Sequence, residues 1–325
     1  MLLTDFSFLI DSILILLIAL LIDFIFGEVP DRIHPTVWMG KVITLLKPRM
    51  RDVNPIDEKL NGSLLALFVM TLFAVPAYYI LLWTRLGLGW LPYIIVAAVM
   101  LKTTFAVKCM SQYTIPIAKA IEKSDVDKAK GLLHYIVRRD PATLNERHVI
   151  SAAVESIAES TTDGVTSPLF YFALFGVPGS FAYRAVNTLD SMVGYKDEAH
   201  VNIGWFSANL DTVANYVPTR ISALLMVVAA MLLRENWKDS YRIMKRDRRN
   251  IPSVNAGWTI SAMAGAISTQ LEKPGMYKVG DGDGLSPTHI RRALRIMNIT
   301  VVLFSAVVIV PVLFVKTFVL SWLWF

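Results

Sequence analysis

Charged side chains are scarce in this chain. Of its 325 residues, 18% are Asp, Glu, Lys or Arg, whereas 54% are hydrophobic. A water-soluble domain usually carries about 25% charged residues, so the composition excludes a protein with a fully solvated surface. The shortage is local, because apolar runs of membrane-spanning length alternate with strongly charged segments. That alternation predicts transmembrane helices joined by aqueous loops.

Other absences narrow the function further. The single cysteine, Cys109, excludes an intrachain disulfide and a cysteine-cluster metal site. Residues 1–26 have neither a basic leading region nor a small-residue cleavage pattern, so we expect a retained first span there and not a cleaved signal peptide. The glycine-rich loop 280–284 lacks the Lys-Ser/Thr of a P-loop, and a turn is favoured over a phosphate cradle.

Six apolar stretches approach the roughly 20 residues that cross a bilayer. They are residues 8–26, 62–83, 90–108, 164–183, 217–233 and 297–325. The fourth is interrupted by Pro168, Gly176, Pro178 and Gly179, as in re-entrant or buried broken helices. We therefore predict an all-α, polytopic membrane protein of one domain with about four to six spans. Its polar loops are residues 27–61, 109–163, 184–212 and 234–296.

The distribution of basic residues predicts the topology, because positive charge marks the cytoplasmic side. Loop 27–61 holds six Lys or Arg, segment 109–163 holds seven and segment 234–296 holds twelve, whereas segment 184–212 holds two. Six crossings from an outside N-terminus place every basic loop inside, and charge counting favours this arrangement. If the stretches 164–183 and 217–233 dip in without crossing, the count falls to four. The number of spans stays open between six and four.

An acidic cluster lies on a predicted helix over residues 146–160, which begins at a capping box over residues 143–146. Glu155 and Glu159 are four residues apart, so both carboxylates face the same way, and they repel unless a cation lies between them. Together with Asp163 they predict a Mg²⁺ site, because this ion takes one or two carboxylates plus phosphate oxygens. A solvated acidic helix face is the alternative.

A second polar cluster recurs at three- and four-residue steps on one helical face. It contains Arg184, Asn187, Asp190 and Ser191, followed by Tyr195 and Lys196. Asn209, Asp211, Asn215 and Arg220 follow at the edge of the next apolar stretch. Such groups are costly to bury beside lipid unless paired, so Arg184 and Arg220 should find carboxylates or phosphates. Purely structural pairing is the alternative.

Three further features carry polar residues. Asp23 lies at the edge of the first span, where an ionisable group is expensive and usually functional, and His34 follows in a His-Pro pair that could equally be a simple turn. Asn255 and Trp258 lie in a short motif after a basic segment, residues 234–250. That segment predicts a helix lying on anionic headgroups, or one that also attracts a polyanionic substrate.

Taken in order, these motifs resemble the signature of the adenosylcobinamide-phosphate synthase family, the CbiB/CobD membrane proteins of cobalamin biosynthesis. The resemblance rests on residues 155–164, Glu-Ser-Ile-Ala-Glu-Ser-Thr-Thr-Asp-Gly, with Pro-Leu-Phe at 168–170, and on residues 183–195, Tyr-Arg-Ala-Val-Asn-Thr-Leu-Asp-Ser-Met-Val-Gly-Tyr. Asp23, His34-Pro35 and the segments 255–258 and 262–266 fall in the same order as in the family. The resemblance covers residues 20 to about 295, and loop 280–284 is its least diagnostic part.

The resemblance implies an ATP-dependent amide ligation in which the free propionate of adenosylcobyric acid is joined to aminopropanol, usually as its O-phosphate. The product would be adenosylcobinamide phosphate. A carboxylate is a poor electrophile, so ATP would convert it to an acyl phosphate whose charge needs Mg²⁺ and arginine. The attacking amine must be neutral, which calls for a base.

The roles that follow are expectations. Glu155, Glu159 and Asp163 would surround Mg²⁺, and Arg184 and Arg220 would bind phosphates. Asp190 or Asp211 would be the base, Asn187 and Asn255 would orient substrate oxygens, and Trp258 would stack on the corrin or adenine. The remaining substrate-binding residues would be Asp23, His34, Ser191, Tyr195, Lys196 and Asn215.

The expected location is the inner cell membrane, with the active-site loops in the cytoplasm. The expected partners are the corrinoid, the amino alcohol phosphate and the lipid bilayer, with no nucleic acid; a homo-oligomer or a complex with other cobalamin-pathway enzymes stays open. One rival hypothesis is a non-enzymatic membrane sensor similar to the AmpE-type proteins. Another is a secondary transporter, whose broken helices would fit residues 164–179, although no matching second half is present.

Overall fold

The computed structural model describes residues 2–137, 140–195 and 197–323, and this part of the chain is almost entirely helical. The helices are α1 Leu2–Phe26, α2 Pro35–Leu46, α3 Pro55–Trp83, α4 Trp90–Lys102, α5 Val107–Glu122, α6 Val126–Leu133, α7 Glu146–Ser160, α8 Ser167–Val193, α9 Trp205–Ala214, α10 Tyr216–Leu232, α11 Trp237–Asp247, α12 Ala256–Ala266, α13 Pro287–Phe304 and α14 Val310–Leu323. An antiparallel hairpin pairs β1, Leu271–Lys273, with β2, Tyr277–Val279. The all-α prediction is confirmed.

Five helical segments in the described residues are long and apolar enough to cross a membrane. They are Ser7–Phe26, Pro55–Leu88, Trp90–Glu122, Glu146–Val193 and Pro287–Val319. A sixth is formed if α9 and α10, which meet at an angle of 44°, are counted as one bent span. Each of the six predicted apolar stretches overlaps one of these segments, so the polytopic prediction is confirmed and five to six spans fit the helix lengths.

The fourth apolar stretch is broken, as its glycines and prolines predict. Gly176 has φ 71° and ψ −168°, which interrupts α8. A positive φ is accessible to glycine without the steric penalty that other residues meet, and Pro178 has no N–H to continue the hydrogen bonds of the preceding turn. The helical path between α7 and α8 is also irregular, because Thr161–Thr166 forms a π-helical turn.

Helix α7 has the predicted bounds but not the predicted capping box. Its N-cap is Asn145, whose side-chain oxygen accepts a hydrogen bond from the His148 N–H at 2.9 Å. Asparagine is among the strongest N-cap residues. The box over Thr143 and Glu146 is therefore a correction: the helix begins at Glu146 itself, which places that residue in the first turn and not at the third helical position that the box requires.

The chain divides into two compact units, and the first comprises residues 1–106, 167–214 and 307–325. In this unit α8 packs against α2, α3 and α9, while α1 packs against α4 and α14. Leu16, Leu65 and Ile94 are among its fully buried side chains. The loop between α1 and α2 and the polar face of α8 both belong to this unit.

The second unit comprises residues 107–166 and 215–306. Helix α13 packs against α5, α7 and α10, and α12 packs against α10 and α11. The hairpin lies on this unit, with β1 against α7 and β2 against α12. Ile117, Ile150 and Ile290 are fully buried there. The acidic cluster on α7 and the basic helix α11 are both in the second unit.

Helices α11 and α12 approach each other closely because one face of α12 carries small residues. The Ser240 hydroxyl donates to the Ala262 carbonyl oxygen at 2.8 Å, and a Cβ at residue 265 would overlap the backbone of Asp239 and Ser240. A Cβ at residue 257 would overlap the Arg248 carbonyl oxygen. Gly257 and Gly265 therefore fix the distance between the two helices, and with it the position of Arg248.

This contact predicts that Gly265→Ala destabilises the protein, although alanine is the better helix former. The overlap with backbone atoms should lower the free energy of unfolding by about 1–3 kcal/mol. Gly131→Ala in α6 is the matched control, because a Cβ there meets nothing within 4 Å, and it should raise stability by about 0.5–1 kcal/mol. Denaturant unfolding in detergent measures both, and an unchanged or raised stability for Gly265→Ala would contradict the close approach.

Candidate functional site

The first unit contains a buried ionic cluster around Lys102, at the end of α4. The Lys102 side chain is 1% exposed, and its Nζ lies 3.0 Å from Asp23 Oδ1 and 2.9 Å from Glu28 Oε1. It also donates to the Phe105 carbonyl oxygen at 3.2 Å. A buried ammonium is tolerated only when it is paired and hydrogen-bonded. The cluster therefore ties the end of α1 and the loop after it to α4.

His34 completes this cluster in a defined tautomer. Its Nδ1 accepts from the Thr36 N–H at 3.1 Å, so Nε2 carries the proton and donates to Glu28 Oε1 at 3.0 Å. Burial disfavours the charged form of Glu28, but His34 and Lys102 outweigh it and hold the Glu28 pKa below its ordinary value of 4.5. Asp23 and His34, both predicted as substrate-binding, are thus engaged with Glu28 and Lys102.

Arg184, on the polar face of α8, is half-buried and bonds only neutral acceptors. Its Nε donates to Thr36 Oγ1 and its Nη1 to Asn187 Oδ1, both at 3.3 Å. Asn187 in turn donates to Asp211 Oδ1 at 3.4 Å. Among the described residues no carboxylate lies within 4.0 Å of the Arg184 guanidinium group. Arg184 was expected to pair with a carboxylate or a phosphate, and no described carboxylate takes that place.

The other predicted residues of this face have local contacts. Asp190 accepts the Gly194 N–H on its carbonyl oxygen at 2.8 Å, and Tyr195 donates its hydroxyl to the Ser191 carbonyl oxygen at 3.0 Å. Asp190 and Ser191 are half-buried, as the predicted helical face requires. Lys196 lies outside the described residues.

A chain of three ionisable residues follows this face, and sequence reasoning missed it. His200 Nδ1 lies 2.7 Å from Asp197 Oδ1, and its Nε2 lies 2.6 Å from Lys47 Nζ. The hydrogen bond from His200 lowers the Asp197 pKa from its ordinary value of 3.8. The contact joins the loop before α9 to the end of α2, and no motif connects these distant positions in the sequence.

In the second unit, Glu155 is buried and bonded on both oxygens. Oε1 accepts from the Ser151 hydroxyl at 2.7 Å, and Oε2 accepts from the Tyr277 hydroxyl at 2.6 Å. Ser151 also accepts the Glu272 N–H at 2.7 Å, so the carboxylate helps to hold the hairpin on α7. Glu159 is exposed and Asp163 half-buried.

The three carboxylates predicted to bind Mg²⁺ do not all come together. Within residues 2–137, 140–195 and 197–323, no three His, Cys, Asp or Glu side chains form a group that could hold a metal ion. Glu155, Glu159 and Asp163 therefore do not form a three-carboxylate site, because Glu155 points to Ser151 and Tyr277. Glu159 and Asp163 remain, and one or two carboxylates completed by phosphate oxygens are what Mg²⁺ requires. This smaller set stays a prediction.

Three other predicted residues of the second unit do come together. Arg220 Nη1 donates to Asn255 Oδ1 at 2.9 Å, and its guanidinium carbon lies 5.2 Å from the centre of the Trp258 ring. Arg248, which sequence reasoning placed only in a basic stretch, lies 4.4 Å from the same ring centre. Trp258, expected to stack on a corrin or adenine, thus contacts two guanidinium groups. Asn215 is buried and immediately precedes α10.

The glycine-rich loop 280–284 is docked on α11. Asp281 accepts hydrogen bonds from Arg242 at 2.8 Å and from Arg246 at 2.7 and 3.0 Å, and the Gly280 N–H donates to Asp247 at 2.8 Å. The bonds from Arg246 and Arg242 lower the Asp281 pKa to about 2. The basic charge of α11 is thus partly neutralised by this loop.

The comparisons with known proteins agree with the motifs. The family described as CobD/Cbib protein matches residues 16–297. A probable cobalamin biosynthesis protein CobD from Methanothermobacter thermautotrophicus is 40% identical over 90% of this chain and 95% of its own length. The cobalamin biosynthesis protein CobD of Dehalococcoides mccartyi is 40% identical over 89% of this chain and 93% of its own. No solved structure gives a significant match.

The buried cluster predicts that Lys102→Met destabilises the protein by about 3–5 kcal/mol, because Asp23 and Glu28 lose their ammonium partner. Lys41→Met is the control, since Lys41 is exposed on α2 in the same unit. Adding Asp23→Asn to Lys102→Met should recover part of the loss. Thermal unfolding in detergent measures all three variants, and a Lys102→Met protein as stable as the wild type would disprove the pairing.

The docked loop predicts faster amide exchange in Asp281→Asn. Because the folded-state pKa of Asp281 is lowered, its contribution is complete above about pH 4 and is lost as the pH falls towards about 2. At pH 7 the substitution should speed hydrogen exchange across residues 280–284 about two- to fivefold. Asp283→Asn makes the same charge change in the same loop without breaking an arginine contact. Equal exchange in both variants would refute the docking.

Proposed function

Because this chain belongs to the CobD/CbiB family of cobalamin biosynthesis proteins, we propose that it catalyses an ATP-dependent amide ligation in that pathway. The substrates are adenosylcobyric acid and (R)-1-amino-2-propanol, as its O-phosphate or as the free amino alcohol. The amide links the amine nitrogen to the carbon of the corrinoid's free propionate. The observation that carries the proposal is the half-buried Arg184, whose charge no described carboxylate neutralises.

Arg184 supports the proposal because of the ligand that such an arginine accepts. Its planar guanidinium group has five N–H donors in a fixed geometry that suits phosphate oxygens. Among the described residues two of these donors find acceptors, the neutral oxygens of Thr36 and Asn187. A phosphate would neutralise the charge and take the remaining donors. A substrate or nucleotide phosphate therefore suits this site.

The base in the proposed reaction is Asp211. The attacking amine must be neutral, so a carboxylate within reach has to take its proton. Asp211 is connected to Arg184 through the Asn187 side chain, which places an acceptor for that proton beside a phosphate-binding group. Asp190, on the polar face of α8, is the other candidate, and the link to Arg184 through Asn187 is what favours Asp211.

ATP with Mg²⁺ supplies the activation of the propionate. In the second unit, the carboxylates proposed for the ion are Glu159 and Asp163. They lie where α7 passes into the π-helical turn Thr161–Thr166, a backbone irregularity that is frequent at functional sites. Glu155 supports this segment through Tyr277 and does not contact the ion in this proposal.

The proposed setting is the inner membrane, with the basic loops in the cytoplasm where the corrinoid and the nucleotide are found. The support is the excess of Lys and Arg in segments 27–61, 109–163 and 234–296. The apolar helices of both units provide the multi-pass anchor.

The experiment that tests the proposed function is incubation of the purified, detergent-solubilised protein with adenosylcobyric acid, ATP, Mg²⁺ and aminopropanol O-phosphate. Mass spectrometry should detect a corrinoid heavier by the amine less one water. Omitting ATP should remove the product, and replacing the phosphorylated amine by free aminopropanol reveals which form is used. No amide with either amine would reject the ligase and favour a non-enzymatic sensor.

The metal assignment predicts that Glu159→Gln abolishes cobinamide formation while the protein stays folded and inserted in the membrane. The amide side chain has no charge to offer the ion, whereas its size is unchanged. Glu146→Gln is the matched control, because Glu146 is an exposed glutamate on the same helix, and it should keep its activity. Full activity in Glu159→Gln would reject the assignment.

A further inference from the structure

The second unit carries two guanidinium groups on one tryptophan ring. The guanidinium carbons of Arg220 and Arg248 lie 5.2 and 4.4 Å from the Trp258 ring centre, and the Arg220 group also lies 3.4 Å from the ring centre of Tyr216. Cation–π contacts hold such groups in place but remove none of their charge. The arrangement therefore concentrates two positive charges in one small region.

Neither charge is neutralised by a carboxylate in the described part of the chain. Within the described residues, no Asp or Glu oxygen lies within 4.0 Å of Arg220 or Arg248. Arg220 bonds three neutral oxygens, those of Tyr216 at 2.6 Å, Asn255 at 2.9 Å and Val254 at 3.4 Å, and two of its five donors remain. Arg248 donates no side-chain hydrogen bond to any described residue. Like charges repel at this range, so the pair should bind an anion.

Several other arginines of the same unit do pair with carboxylates. Arg242 and Arg246 share Asp281, Arg291 pairs with Glu122, and Arg292 pairs with Glu235. Pairing is not universal, because Arg147, Arg234 and Arg249 also have no described carboxylate within 4.0 Å. Arg220 and Arg248, both half-buried, differ from these in that both contact one tryptophan ring.

The backbone holds the pair in place. Gly257 lies so close to the Arg248 carbonyl oxygen that no side chain fits between them, which fixes Arg248 against the start of α12. The Ser253 hydroxyl accepts the Asn255 and Ala256 N–H groups at 3.3 and 3.1 Å, and Asn255 then fixes Arg220. The two guanidinium groups are thus positioned by separate elements, α10 and the turn after α11. A preorganised pair of this kind suits one compact ligand.

We propose that Arg220 and Arg248, which share the Trp258 ring, together bind a phosphomonoester dianion. Two formal positive charges match the two negative charges of a monoester, whereas a phosphodiester headgroup of a lipid neutralises only one. Each planar guanidinium group can bind phosphate oxygens in a bidentate manner. This inference rests on the proposed function, in which the phosphorylated amino alcohol is the monoester. It replaces the stacking role expected of Trp258.

The test is a calorimetric titration of the full-length protein with inorganic phosphate at pH 8, in a detergent that contains no phosphate. The wild type should bind, and Arg248→Gln should weaken the affinity about tenfold or more. Arg249→Gln is the matched control, since it removes the same charge from the exposed neighbouring residue, and it should stay within about twofold of the wild type. Arg248→Lys keeps the positive charge and should bind phosphate with intermediate affinity. This variant keeps the test decisive if the glutamine variant fails to fold.

Two further arms separate the sources of phosphate. Dimethyl phosphate, a soluble diester, should bind at least about tenfold more weakly than inorganic phosphate, and nanodiscs of phosphatidylglycerol should leave the phosphate affinity unchanged. Equal affinity for the diester, or loss of phosphate binding in these nanodiscs, would assign the pair to a lipid headgroup and overturn the proposal. Equal weakening by Arg248→Gln and Arg249→Gln would also overturn it. The titrations contain no ATP or corrinoid, so phosphate binding without amide formation would reject the proposed function and leave this site standing.

Discussion

The structure depends on one constraint: a charged side chain that is fully or partly removed from water needs a partner of opposite charge. Taking one ion out of water costs several kcal/mol even after the protein relaxes. Lys102 satisfies the constraint with Asp23 and Glu28, and in the second unit Arg246 satisfies it with Asp281 and Arg292 with Glu235. Arg184 and the pair Arg220 and Arg248 do not. We propose these positions as phosphate sites, because the planar guanidinium group suits phosphate oxygens.

The helical framework explains how such charges are kept in place. Gly176 breaks α8 ahead of its polar half, so Arg184, Asn187 and Asp190 begin a new helical run with its own facing direction. The small residues of α12 bring α11 close and set the position of Arg248. The Lys102 cluster includes His34, the N-cap of α2, and so fixes the start of the helix that carries Thr36, the partner of Arg184. In each unit the packing of the helices determines the site geometry, because the position of a guanidinium group depends on the position of the backbone that carries it.

The sequence predicted much of this arrangement. Apolar runs defined the spans, glycine and proline predicted the break in α8, and three- and four-residue spacing placed Arg184, Asn187 and Asp190 on one face. The missed features involve residues far apart in the chain. Tyr277 donates a hydrogen bond to Glu155, and Asp281 accepts one from Arg246. Tertiary packing brings these partners together, and the periodicity of the sequence carries no information about such contacts. Lys102 is a lone lysine at the end of an apolar stretch. An ionisable group is expensive at such a position, so the sequence does contain a signal for a buried ion pair with an acid such as Asp23.

In the proposed chemistry, phosphate-binding arginines would serve the formation of an amide from an unreactive carboxylate. The most direct test follows the carboxylate oxygen. Adenosylcobyric acid labelled with ¹⁸O in both oxygens of its free propionate would be converted with ATP, Mg²⁺ and the amine, and ³¹P NMR would then report the isotope shift of the phosphorus-containing products. The account predicts that one ¹⁸O appears on phosphorus for each amide formed. Amide formation with no label on any phosphorus-containing product would contradict it.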